Sequence, residues 1–263
     1  MVGSLIVYLG LIVSLAGCGF MLRPAKRLRL LTRKHGLVVA VVGVLLTATG
    51  LMLPARESRV ERAATRLDEF APRWQFREFH ATRIVAPPER VFDAIKKVRA
   101  DEILLFRTLT WLRRFGRPLP ESILNAGINS PLIEVATRSG FVTLAEDAAR
   151  EVVIGTMVVR PAEARRMLTP QAFKAVPPGF AAATMNFLVV PDGPDASLVS
   201  TETRVFASGK GARRVFAGYW RFIYPGSAMI RRMWLRAIRR RALVEMSAPT
   251  HQGSDQSAAT FVR

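Results

Sequence analysis

Two long runs without a formal charge constrain this chain more than any other feature. Val2 to Leu22 covers 21 residues and Gly36 to Leu53 covers 18. At about 1.5 Å per helical residue they reach roughly 31 and 27 Å, against a hydrocarbon core of about 30 Å. A soluble core helix rarely stays apolar on every face over that length. Residues 23–35 between the runs carry six Lys/Arg and no acid. The pattern predicts a transmembrane helical hairpin over residues 1–54 with a basic loop at 23–35. The positive-inside rule puts that loop in the cytoplasm and the rest of the chain outside it. Gly3, Gly10 and Gly17 lie seven apart, as do Gly36, Gly43 and Gly50. Each set falls along one stripe of its helix, and small residues let two membrane helices approach closely. The two stripes are expected to face each other.

The net charge of +19 asks for an anionic neighbour, either nucleic acid or an acidic lipid surface. Beyond residue 53 the chain still carries +13. No aromatic-plus-basic strand motif for RNA is present, and a domain outside the cytoplasm meets little nucleic acid, so none is expected as a partner. Half the residues are hydrophobic and 22% are charged, which excludes a disordered chain. The lone cysteine, Cys18, excludes an intrachain disulfide framework. Leu15-Ala16-Gly17-Cys18 matches a lipobox, but no Lys or Arg precedes the apolar run as in a signal peptide, and a second spanning helix makes a lipid anchor redundant.

Residues 55–73 read as a charged linker or helix ended by Pro72. Trp74 to Val85 alternates, with Phe76, Glu78, His80, Thr82 and Ile84 on one face. Ala86-Pro87-Pro88-Glu89 stops that strand and starts a helix whose apolar face is Val91, Phe92, Ile95 and Val98. A second helix is expected over 102–115, burying Ile103, Leu104, Phe106, Leu109 and Leu112. Strands are expected near 132–137, 139–147, 150–159, 171–176, 180–191 and 197–207. A long last helix spans 211–246, interrupted at Tyr224-Pro225-Gly226-Ser227, and the tail 247–263 reads as disordered.

The order is strand, two helices, several antiparallel strands, long helix. On the residues Phe79 to Phe92, above all Ala86-Pro87-Pro88-Glu89-Arg90-Val91-Phe92, the chain resembles the helix-grip superfamily of START, Bet v 1-like (SRPBCC) and polyketide cyclase-like proteins. Gly179 to Phe187, Leu198 to Phe206 and Tyr219-Trp220-Arg221 are similar to its bacterial members. The resemblance covers residues 74–246. It implies an α+β helix-grip fold, a curved antiparallel sheet around a long C-terminal helix, with an internal cavity for a lipid or other hydrophobic small molecule. Preceded by the hairpin, such a domain would belong to a bacterial cell membrane. No catalytic residue carries over from the resemblance.

The candidate ligand-binding residues are Phe76, Glu78, His80, Thr82 and Ile84 on the strand and Met233 and Trp234 on the last helix. Glu78 and His80 are either the polar anchors of a ligand or, as an alternative, a proton-transfer pair. Arg231, Arg232, Arg236, Arg239, Arg240 and Arg241 are expected to meet anionic headgroups at the membrane surface. GxSxG, P-loop and strand-borne GxGxxG patterns are absent, and the three histidines show no metal-ligand spacing. Neither cofactor nor metal is therefore expected, and a third reading is a domain with a filled core and no ligand.

Overall fold

The structure is a computed structural model that describes residues 2–22, 33–127, 129–161 and 169–247. Most of the basic loop at 23–35, and the tail beyond residue 247, lie outside the described residues.

Helices α1 (Val2–Leu22) and α2 (Arg33–Met52) pack along each other, and both are long and apolar enough to cross a membrane. The glycine stripes form the seam. A Cβ at Gly17 would fall on the Ala40 backbone, one at Gly43 on the Ser14 backbone, and one at Gly10 on Thr47. Backbone contact this close is open only to glycine, as the seven-residue spacing predicts.

The rest of the described chain is α+β. Short strands β1 (Ser58–Arg59) and β2 (Arg73–Trp74) pair with each other around helix α3 (Arg66–Phe70). Strand β3 (Phe76–Ile84) opens the main sheet. Helix α4 (Pro88–Lys97) follows, then a 3-10 turn at Ala100–Glu102, α5 (Phe106–Arg113) and α6 (Leu132–Arg138). Strands β4 (Val142–Asp147) and β5 (Glu151–Val159) come next, then α7 (Pro170–Lys174), β6 (Ala181–Pro191), β7 (Ser197–Ala207) and α8 (Lys210–Ser247). The five-stranded antiparallel sheet has the order β3-β7-β6-β5-β4. Register shifts at Thr143/Ala145 and Met157/Val159 are bulges that bend β4 and β5.

Both faces of the sheet are covered. On one, α4, α6 and the C-terminal half of α8 bury Ile84, Val91, Ile95, Phe187, Trp234 and Ile238. On the other, α3 and α7 bury Leu67, Phe70 and Phe173 against Val153 and Ala182. The fully buried carboxylate of Glu151 fixes α3 to the sheet. It accepts from the backbone N–H groups of Arg66 (2.8 Å) and Leu67 (3.1 Å) at the helix start and from Asn186 Nδ2 (2.7 Å).

Several expectations are corrected. Residues 132–137 and 171–174 are helical, and 175–176 belong to no strand. Leu132, Val135 and Ala136 are buried at helical spacing, while Thr169 caps α7 by accepting from the Ala172 N–H with Pro170 in the first turn. The expected helix at 102–115 is broken, because Leu105 takes a left-handed conformation (φ 58°) and α5 begins only after it. Leu104 and Leu112 are exposed rather than buried. The last helix is not interrupted: α8 runs through Pro225. A proline at 225 removes the N–H that would reach the Arg221 carbonyl one turn back. That carbonyl instead accepts from the Tyr8 hydroxyl of α1 at 2.6 Å, while Arg221 Nη2 donates to the Leu53 carbonyl at 3.1 Å. The hairpin thus supplies the hydrogen bond that α8 lacks.

Candidate ligand-binding site

One face of α8 explains where the interior stays open. Phe216, Tyr219, Trp220, Ile223, Ser227, Ile230, Arg231 and Trp234 recur at helical spacing along it. Between this stripe, α5, the segment at Ile123–Leu124 and strands β5 to β7 lies a cavity of about 480 Å³. Its walls are largely apolar and include Phe106, Met185, Val205, Phe216, Trp220 and Trp234. Val215 and Tyr219 line it and are also exposed, so they mark its mouth. Beside that mouth, Trp111, Phe115 and Phe222 are exposed as well, with Phe115 stacked on Phe222 at 5.4 Å between ring centroids. A second groove of about 580 Å³ lies where the hairpin meets the domain, lined by Gly3, Leu53, Trp74 and Phe76 among others. Trp220 lines both spaces.

The polar groups of the cavity are few. Arg231 Nη2 donates to the Thr203 hydroxyl at 2.9 Å and Nη1 to the Thr201 hydroxyl at 3.3 Å. Its guanidinium lies 5.6 Å from the Trp234 ring centroid. Burial pushes its pKa down to about 10, with Glu78 pulling upward and Arg113 adding to the fall. Arg113, on the cavity wall from α5, donates from Nε to the Tyr219 hydroxyl at 3.0 Å.

The sequence-selected residues divide. Trp234 lines the cavity; Phe76, Glu78, His80, Thr82, Ile84 and Met233 are not among its lining residues. For the five strand residues the reason is the course of α8, which packs over β3 and β7 and covers the β3 face from which they project. Phe76 packs on Phe216 (5.0 Å) and Trp220 (5.8 Å), and Ile84 is fully buried in the main core. Met233 packs at the edge of that core. Glu78 is buried beneath α8, where one carboxylate oxygen lies 3.1 Å from His80 Nε2 and the other accepts from the Ser227 hydroxyl at 2.9 Å. Ser227 does line the cavity, so Glu78 touches it at one remove. In this chain of three the carboxylate sits in the middle. A nucleophilic serine needs the base as its direct partner, and here it bonds to the glutamate instead.

Of the arginines expected at a membrane surface, Arg232, Arg236 and Arg239 are exposed. Arg231 is corrected to a cavity residue: it sits three, four and seven positions before Trp234, Leu235 and Ile238, on the inward stripe. Arg241 pairs with Glu102 at 2.7 Å and Arg240 donates to the Glu102 carbonyl. Sequence reasoning missed Arg113, Thr110 and Phe106, although their spacing of three, four and seven on α5 marks one face. Among the described residues no cluster of His, Cys, Asp and Glu is arranged to hold a metal ion.

No family model matches the chain, and the search of curated proteins returned no match. Solved structures similar to it include a Mesorhizobium loti protein, at 12% identity over 66% of this chain and 100% of that one, with a TM-score of 0.30. Human STARD10 is similar at 9% identity over 65% of this chain and 64% of that one, with a TM-score of 0.20. The Zhui aromatase/cyclase of Streptomyces sp. R1128 is similar at 11% identity over 63% of this chain and 94% of that one, with a TM-score of 0.21.

Proposed function

We propose that this chain is a membrane-anchored protein that binds a lipid or other hydrophobic small molecule in the cavity between its sheet and α8. Residues 1–54 serve as the membrane hairpin, with loop 23–35 on the cytoplasmic side; residues 55–73 connect, and residues 74–246 form the helix-grip domain. The observation that carries the reading is the cavity of about 480 Å³ walled by Phe106, Met185, Phe216, Trp220 and Trp234. Its size falls within the roughly 300–1,000 Å³ of small-molecule sites, and mostly apolar walls with a few polar groups are their usual lining. Desolvation supplies the affinity, about 2.5 kcal/mol for every 100 Å² of apolar ligand surface removed from water. The exposed Trp111, Phe115 and Phe222 beside the mouth suit contact with lipid, and the hairpin docked through Tyr8 and Leu53 holds the domain near it.

Native mass spectrometry of the full chain released from non-ionic detergent tests this. A stoichiometric apolar guest, recovered by solvent extraction, is expected. A chain that remains guest-free after incubation with an extract of its own membrane contradicts the reading.

A second reading keeps the Glu78–His80 pair as an acid–base couple of a polyketide cyclase-like enzyme, because the two groups lie 3.1 Å apart in a buried setting. Its requirement is loss of turnover in Glu78→Gln with ligand binding retained.

A further inference from the structure

Among the described residues, two guanidinium groups face the cavity and no Asp or Glu lines it. The hydrogen-bond partners that hold them are neutral hydroxyls: Tyr219 for Arg113, and Thr201 and Thr203 for Arg231. Glu78 acts on Arg231 through space, yet its two oxygens are engaged by His80 and Ser227. Arg113 and Arg231 both line this cavity, one from α5 and one from α8, and the charge of Arg113 bears on Arg231. Among the described residues, one carboxylate against two guanidinium groups leaves a positive surplus in a site walled by aromatic rings. A desolvated guanidinium is costly unless an anion meets it, and its planar fork fits a carboxylate or phosphate with two parallel bonds. A cationic guest would add like charge, and an uncharged one would leave the surplus unanswered.

We infer that the occupant of this cavity is an amphiphile with a single acidic head, a carboxylate or a phosphate monoester. The head sits between Arg231 and Arg113, and the apolar body lies along Phe106, Phe216, Trp220 and Trp234. The inference rests on the cavity being a binding site and adds the chemistry of the ligand. It also assigns roles: Arg231 anchors the head from the depth of the cavity, on a platform of Thr201, Thr203 and Trp234, and Arg113 closes on it from the mouth.

Four twelve-carbon probes of one body and different heads test it: dodecanoate, dodecyl phosphate, dodecanol and dodecyltrimethylammonium. Each is titrated into the full chain in lipid nanodiscs, below its micellar concentration, with tryptophan fluorescence as readout and empty nanodiscs as the blank. At least one acidic probe is expected to bind about tenfold or more tightly than dodecanol, and the cationic probe more weakly than dodecanol. The ratio of dodecanoate to dodecyl phosphate tells which acid the site is shaped for. Arg231→Gln is expected to abolish the preference for the acidic probes while keeping dodecanol binding, and Arg113→Gln, at the half-exposed mouth, to reduce it several-fold with the fold intact. Equal affinity for dodecanol and both acidic probes, or a preference that survives in both variants, overturns the head-group assignment and leaves the cavity reading standing. Absence of saturable binding by all four probes overturns both.

Discussion

Removing the Tyr8 hydroxyl probes the join between the hairpin and the domain most sharply. In a regular helix the Arg221 carbonyl would accept from the N–H at position 225, and Pro225 has none. The Tyr8 hydroxyl takes that place at 2.6 Å. A hydrogen bond of this kind contributes about 0.5–1.5 kcal/mol net, and a buried acceptor left alone costs about 1–3 kcal/mol. The contact is only partly buried, so Tyr8→Phe is expected to destabilise the full chain by about 1 kcal/mol. Pro225→Ala restores the missing N–H. In that background Tyr8→Phe should cost less than about 0.5 kcal/mol, giving a coupling of at least about 0.5 kcal/mol in the double-mutant cycle. The assay is equilibrium urea unfolding of the four proteins in one non-ionic detergent, followed by tryptophan fluorescence. An equal cost of Tyr8→Phe in both backgrounds would refute the argument that the hydroxyl stands in for the proline's absent donor.

Other parts of the structure give equally direct expectations. Glu151→Gln replaces one oxygen of a carboxylate that faces three donors with another donor, so a loss of about 1.5–3 kcal/mol is expected; an unchanged thermal midpoint would contradict the role given to Glu151. Gly43→Leu places a side chain on the Ser14 backbone, so cysteines introduced at Ser14 and Ala40, with Cys18 replaced by Ser, should crosslink several-fold less in that variant; an equal yield would remove the glycine seam. Asp68 and Glu202 both pair with Arg204, and Glu202 also with Arg77. Burial alone would raise both carboxyl pKa values, but hydrogen bonds hold them below the ordinary value: Ala64, Arg204 and Thr65 act on Asp68, and Arg77 and Arg204 on Glu202. Their contribution is therefore complete above the unfolded carboxylate pKa of about 4 and is lost as pH falls through the lower folded values. An Arg204→Met variant should show a flatter loss of stability below pH of about 4 than the parent, and parallel curves would contradict this.

The packed helix pair α1–α2 was legible in the sequence because uninterrupted apolar length and a seven-residue glycine spacing determine both the elements and their seam. Strands β3, β5, β6 and β7 were legible from alternation and turn residues, almost to the residue. Leu132–Arg138 and Pro170–Lys174 were misread because segments of one or two turns carry too little periodicity, and their starts at Pro131 and Thr169 were the better signal. The uninterrupted α8 was beyond sequence reasoning, since the group that satisfies the Arg221 carbonyl lies 213 residues away. For the site, alternation identified the inward face of β3 and the resemblance put the last helix against the sheet, but neither showed that α8 fills the β3 face and leaves the hollow beside β5 to β7. Arg231 was hidden among the surface arginines beside it, although its spacing to Trp234, Leu235 and Ile238 is that of a buried stripe.

The central claim is that the hollow beside α8 holds an apolar guest. It is tested most directly by quenching of tryptophan fluorescence with bromododecanol in the full chain, compared with Ala183→Phe, which adds bulk on the cavity wall. The account predicts saturable quenching of the parent through Trp220 and Trp234, and an affinity weakened about tenfold or more in Ala183→Phe, equivalent to about 1.4 kcal/mol, with unchanged secondary structure. Quenching that does not saturate, or the same affinity in both proteins, would contradict it.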